Sequence, residues 1–148
     1  VNPLVILMKA EQESGILRNS SGLDKYEIRK FRACGYGLYI SSQTPVDGYT
    51  YGTNNSGKKA YYRYGGYRTQ LSECAELLSK EFKKYRKVNT PVMIKDFSDQ
   101  WEWYVDNAAT YSFFRYCPYY GKFMNGKYEN MGNWLIHSLW KDIKGRIK

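Results

Sequence analysis

Two glutamates, Glu11 and Glu13, close an apolar run that reads Leu4-Val5-Ile6-Leu7-Met8-Lys9-Ala10. A carboxylate at the end of a buried helix meets desolvation and the negative pole of the helix dipole. Both disfavour the anion and raise the pKa. A carboxyl that stays neutral near pH 7 can hand a proton to a leaving oxygen, the task of a general acid. Two residues correspond to about 200° of helical rotation, so the two glutamates cannot share a groove. Glu11 falls on the side of Leu4, Leu7 and Met8, and Glu13 shares Ile6, Lys9 and Ala10. Periodicity does not choose between them. Asp47 is a candidate second carboxylate, although an Asp-Gly pair is more often just a turn. Asp99 and Asp106 read as solubilising residues at helix ends. Other chemistries are poorly served. His137 is the sole histidine, which excludes a His-dependent triad or a multi-histidine metal site. No GxxxxGK[ST] phosphate loop occurs, and Cys34, Cys74 and Cys117 lack CxxC or histidine-partner spacing. Neither metal nor cofactor is expected. Three buried free cysteines is the preferred reading over one disulfide and a free thiol.

The element that must carry the glutamates is a helix over Asn2–Ile16. Asn2 is a favoured N-cap, Pro3 fits the first helical position and Gly15 can take the left-handed conformation that ends it. Its nearly all-round apolar surface predicts burial. Residues 17–23 read as a loop, and Asp24 with Glu27 makes a capping-box start for a short helix ending near Ala33. In Cys34-Gly35-Tyr36-Gly37-Leu38-Tyr39-Ile40, two glycines one residue apart mark a sharp turn or a close approach. The fragment is no dinucleotide fingerprint. From Ser41 to Gly66, Ser, Thr, Gly, Asn and Tyr dominate, with turn signals at Asp47-Gly48 and Asn54-Asn55, which predicts a long functional loop with room for a small irregular hairpin. Tyr67, Leu71, Cys74, Ala75, Leu78, Phe82 and Tyr85 recur at helical spacing, with Lys80, Lys83, Lys84, Arg86 and Lys87 near the C-terminal end. Thr90-Pro91 predicts a short helical turn. Ser98 caps a further helix from Asp99, with Trp101, Tyr104, Val105, Ala108 and Ser112 on one face, ending at Pro118. Tyr119–Gly132 is a second aromatic loop, and Asn133 begins a last amphipathic helix with Leu135, Ile136, Leu139 and Ile143 inward. The expected fold is mainly α, with little strand and two long aromatic loops.

At 148 residues the chain is read as one domain, long enough to bury roughly 68–70% of its unfolded surface. Apolar residues at 43% and charged residues at 25% are ordinary for a globular chain. Aromatics at 18%, sixteen of the residues being Tyr, and a net charge of +9 are not. A basic, aromatic surface suits nucleic acid or a polyanionic, sugar-rich polymer such as a bacterial cell wall. The longest apolar run, Leu4–Met8, is far short of the roughly 20 residues that span a bilayer. The chain opens directly in a core helix, so an upstream leader or domain is expected to be missing.

A neutral carboxyl beside an aromatic, glycine-lined groove fits glycosidic bond cleavage. The stretch Asn2–Ile16 resembles the first motif of the lysozyme-like superfamily, specifically soluble lytic transglycosylases and goose-type lysozymes. Their hallmark is a Glu-Ser pair closing a hydrophobic helix, matched by Glu13-Ser14. Gly35-Tyr36-Gly37-Leu38-Tyr39-Ile40 sits where those proteins carry a Gly-Leu-Met-Gln turn lining the groove, with Tyr39-Ile40 replacing Met-Gln. Gly65–Leu71, Asn107-Ala108-Ala109-Thr110-Tyr111 and Tyr116-Cys117-Pro118 are similar to bacterial wall-hydrolase relatives. The resemblance implies an α+β lysozyme-like fold over most of the chain. It selects Glu13 as the acid/base and leaves Glu11 as a structural or surface carboxylate. Ser14, Tyr36, Gly37, Tyr39, Gln70 and Asn107 are implied to bind substrate, and Tyr111, with Tyr116 as second candidate, to face the glutamate.

A hydrolase needs two flanking carboxylates, ~5–5.5 Å apart for retention or ~6.5–9.5 Å for inversion. The resemblance implies a one-glutamate alternative. Glu13 protonates the oxygen between N-acetylmuramic acid and N-acetylglucosamine, the substrate's N-acetyl group stabilises the cation, and the same residue closes a 1,6-anhydro ring. That route is preferred because Asp47 is unconvincing as a second acid. Peptidoglycan is then the partner and the cell envelope, periplasm or exterior the location. A muramidase or glucosaminidase, or a silent glycan-binding module of a larger assembly, are the alternatives. Nucleic-acid binding lacks any motif and is not expected.

Overall fold

The computed structural model describes residues 2–16, 23–54, 56–86, 92–95, 102–117, 123–124, 127–128 and 132–146. It is a mainly helical α+β structure with small antiparallel sheets, divided into two compact units, Asn2–Ala75 and Glu76–Lys148. Among the described residues, no helix is long and apolar enough to cross a membrane.

The first unit begins with α1, Pro3–Ser14. Asn2 caps it by accepting the Leu4 N–H at 2.9 Å, and Pro3 opens it. Gly15 closes it at φ 61°, donating its N–H to the Glu11 carbonyl at 2.8 Å. Ile6, Met8 and Ala10 are buried, and so are Lys9, Glu11 and Ser14. Helix α2 covers Leu23–Phe31 and feeds the glycine turn of 34–40.

The Ser41–Gly66 segment contains the expected hairpin and is more regular than the expected loop. It forms a three-stranded antiparallel sheet from β1 (Ser41–Ser42), β2 (Thr50–Thr53) and β3 (Lys59–Tyr62), with β3 in the middle. Tyr51 lies opposite Tyr61, their rings 5.0 Å apart. Tyr and Thr favour a pleated, half-buried surface, and strand alternation sends Ala60 and Tyr62 inward. There they join Leu38, with Phe31 edge-on to Tyr62 at 5.7 Å. Gly52 and Gly65 lack side chains because the Phe31 ring occupies that space. Asn54 shapes the β2–β3 connection, its Oδ1 accepting the N–H groups of Ser56 and Lys58.

Helix α3, Tyr67–Arg86, runs from the first unit into the second; Cys74, Leu78 and Tyr85 of the predicted apolar face are buried, whereas Tyr67 and Phe82 are exposed. In the second unit, β4 (Val92–Lys95) pairs antiparallel with β5 (Glu102–Val105). This corrects the helix expected from Asp99. Tyr104 and Val105 belong to a strand, and α4 begins only at Ala108, behind an Asn107 N-cap, and runs to Tyr116. A short β6–β7 ladder (Phe123–Met124 with Lys127–Tyr128) crosses the region expected as a second loop. Helix α5 spans Gly132–Arg146, one residue from the predicted start, with Ile136 and Leu139 buried. The core of this unit joins Tyr85, Val105, Ala108, Tyr111 and Phe114, and the Tyr85 hydroxyl donates to the Val105 carbonyl at 2.8 Å. The expectations for Thr90-Pro91, Ser98, Asp99, Trp101, Pro118 and most of 119–131 lie outside the described residues.

Candidate active site

The two glutamates of α1 separate as their helical angle requires. Glu11 is buried at 6% exposure. Glu13 faces solvent, its side chain about 30% exposed, so the desolvated position foreseen for the acid belongs to Glu11 instead. Glu13 is held in another way. One turn earlier stands Lys9, whose side chain has no solvent exposure at all, and its Nζ lies 2.7 Å from Glu13 Oε1. The same ammonium donates to Gln12 Oε1 at 2.7 Å. A fully buried cation costs several kcal/mol unless its charge is met, so the pair fixes the carboxylate firmly. The second oxygen, Oε2, lies 3.5 Å from where a side chain on Gly35 would begin. Gly35 itself sits at φ 69°, in the left-handed region that favours glycine. A buried ammonium thus takes one carboxylate oxygen, and the other faces bare backbone.

The turn carrying Gly35 is tied down by Gln70 on the first turn of α3. Gln70 is fully buried. Its Oε1 accepts the N–H groups of Cys34 at 3.2 Å and Tyr36 at 2.9 Å. Its Nε2 donates to the Tyr36 carbonyl at 2.8 Å and to the Tyr64 carbonyl. Both donors and both lone pairs of the amide are thereby engaged, which makes Gln70 the latch of the turn. Tyr36 packs edge-on against Tyr64 at 5.0 Å, and Gly37, at φ 55°, leaves room for the Tyr64 ring. Tyr39 is 86% exposed, a free aromatic face at the end of the turn. Ser14 is buried, its hydroxyl donating to the Ala10 carbonyl at 2.6 Å, so it secures the helix end.

Asp47 is exposed in a turn with Gly48 at φ 75°, and Tyr49 N–H closes that turn on Val46 O at 3.1 Å. The turn alone accounts for its Asp-Gly pair. Asn107, Tyr111 and Tyr116 belong to the second unit. Asn107 caps α4, accepting the Thr110 N–H at 2.8 Å. Tyr111 is buried against Tyr85, with ring centroids 5.1 Å apart, and Tyr116 is half-buried at the end of α4. His137 is exposed on α5. Among the described residues, no three His, Cys, Asp or Glu side chains gather to hold a metal ion.

A separate cavity of about 420 Å3 opens in the first unit, lined by Glu27, Lys30, Phe31, Tyr51, Thr53 and Tyr67 among others. Glu13 does not line it. Its exposed rings, Tyr51 and Tyr67, are of the kind that stack on sugars.

Lys9 and Gly35 were not singled out from the sequence as partners of Glu13. The signal for Lys9 was present, since a lysine interrupting an apolar helical run four residues before a glutamate is an i,i+4 pair waiting to form. No protein family, curated protein or solved structure matches the chain.

Proposed function

We propose that the protein cleaves the β-1,4 bond between N-acetylmuramic acid and N-acetylglucosamine in peptidoglycan, as a lytic transglycosylase of lysozyme-like fold with Glu13 as its single acid/base. The observation that carries this reading is the Glu13 carboxylate. It stands accessible at the end of a buried helix, with Oε1 fixed by Lys9 and Oε2 beside the Gly35 turn. On this reading the proton passes through Oε2, the oxygen that Lys9 does not hold, in the course of the reaction. Oε2 gives that proton to the glycosidic oxygen as the bond to the muramic C1 breaks, and the substrate's N-acetyl oxygen shields the cationic carbon. The emptied carboxylate next takes the proton of the muramic 6-hydroxyl as that oxygen closes on C1. Proton and electron pairs balance, and no second protein carboxylate is required. The plain turn role of Asp47 favours this route over hydrolysis. Tyr39, exposed at the end of the glycine turn, offers a ring for sugar stacking, and the +9 charge suits an anionic wall at the cell envelope.

The test is digestion of purified sacculi. General-acid catalysis is worth ~10²–10⁴-fold, so Glu13→Gln should lose nearly all release of soluble fragments, whereas Glu11→Gln, if folded, should keep it. Mass spectrometry should find anhydro-muropeptides. Reducing muramic ends would mean a muramidase, and reducing glucosamine ends a glucosaminidase. Co-sedimentation with sacculi without any release would mean a silent wall-binding module.

A further inference from the structure

Cys34 and Cys74 lie 40 positions apart in the sequence, and both fall within the first unit. Their exposures are 1% and 0%, and the Cys74 thiol makes a hydrogen bond with the Cys34 thiol. Two further restraints hold them in register. The Cys34 N–H donates to Gln70 Oε1 at 3.2 Å, and Gln70 precedes Cys74 by one turn of α3. Gln70 and Cys74 therefore share a helical face, both wholly buried, and the backbone of Cys34 is pinned to that face. We infer that Cys34 and Cys74 are a disulfide-forming pair, a built cross-link site joining the turn after α2 to α3. The inference stands on this packing and not on any reading of Glu13.

The chemistry is thiol–disulfide exchange with a small-molecule disulfide or a disulfide oxidoreductase. One cysteine, as thiolate, attacks a sulfur of the oxidant and releases the first thiolate. The other then attacks the mixed disulfide and releases the second. The protein loses two electrons and two protons, and the oxidant becomes two thiols. Only the thiolate attacks, and the shared hydrogen bond, then burial, keeps Cys34 protonated. Exchange in the folded protein is therefore slow, and the bond forms while the chain is still open. The bond would also anchor Cys34, and through it Gly35 beside Glu13.

Cys117, half-buried at the C-cap of α4 in the other unit, serves as an internal control. The full chain is unfolded and reduced, refolded with oxidised glutathione, separated from the reagent and titrated for thiols in denaturant. The expected result is one thiol per chain, with a peptide map linking the Cys34 and Cys74 fragments. Reduction should lower the thermal midpoint by about 10 °C for a loop of this length. Cys117→Ser should then show no thiol when oxidised and two when reduced, with the same shift in midpoint. Three thiols per chain, a mixed disulfide with glutathione at either residue, or a link to Cys117 would overturn the inference. So would a thermal midpoint indifferent to reduction.

Discussion

An ammonium group shut away from water in an apolar helix is tolerable only while its charge is met, and Lys9 meets Glu13 and Gln12. Removing the Glu13 charge therefore has two effects, one on catalysis and one on folding. Glu13→Gln keeps an oxygen for Lys9 to donate to but leaves the buried cation without its counter-charge. We expect a loss of about 1–3 kcal/mol, since Glu13 is itself partly solvated. Lys9→Met fills the same space without charge, so the Lys9→Met/Glu13→Gln double variant should regain much of that loss. Urea denaturation of the four proteins measures the coupling, and additive losses would show that the ion pair is not the cause. On sacculi, Lys9→Met should fold and yet lose roughly tenfold to a hundredfold in activity, because Oε1 is no longer held. At this scale the sequence offered Glu13 and the buried helix end, through the Glu-Ser pair. It did not offer the role of Gln70, named as a groove residue, because the partners of its amide include Cys34 and Tyr36, well over thirty positions away.

The boundaries of α1 were legible because they rest on neighbours: an Asn cap, a first-turn Pro and a closing Gly. Those of α3 followed from helical spacing. Where pairing is remote, local spacing misleads. Tyr104 and Val105 fall at helical steps from Ala108 and Ser112, yet the strand ladder to Val92–Lys95 claims them, and only at Asn107 does a capping side chain let a helix begin. The 41–66 segment looked like loop for the same reason. Its Ser, Thr and Gly are common in turns, and the sheet rests on cross-strand pairing to β3 and on Phe31, a residue of α2, packed against Tyr62. That packing has a consequence for mutation. A methyl group on Gly52 or Gly65 would enter the Phe31 ring, so either Gly→Ala change should cost about 1–3 kcal/mol by displacing it. Gly57 is at φ 78° with open space around it, so Gly57→Ala should cost only the backbone strain, roughly 1 kcal/mol. Thermal midpoints should rank the variants in that order. Equal losses at Gly52 and Gly57 would remove Phe31 from the account.

At the scale of the whole molecule, two buried acids among the described residues bear on the alkaline limit. The hydrogen bond with Cys74, then burial, holds the Cys34 thiol protonated, and burial pushes the Tyr62 hydroxyl upward. A raised folded pKa gives stability that is complete below the unfolded value and lost as pH rises. With reductant present, the thermal midpoint should therefore begin to fall above pH 9, where an unfolded thiol ionises, and fall further above pH 10 as unfolded tyrosine does. Tyr62→Phe should flatten the second decline, at a cost of about 1 kcal/mol near neutrality from the lost bond to the Lys58 carbonyl. An unchanged midpoint up to pH 11 would contradict both assignments. The +9 charge predicts that sedimentation with sacculi weakens as salt shortens the reach of charge from about 30 Å at 0.01 M to ~8 Å at 0.15 M. Helix α3 adds a constraint on how the gene can be divided. The boundary between the two units falls at Ala75–Glu76, inside that helix, leaving about half its twenty residues on each side. Isolated helices below ~12–15 residues are marginal in water. Severed there, each fragment would carry a frayed stub, and recovery of structure on mixing would report the regrowth of a single shared helix.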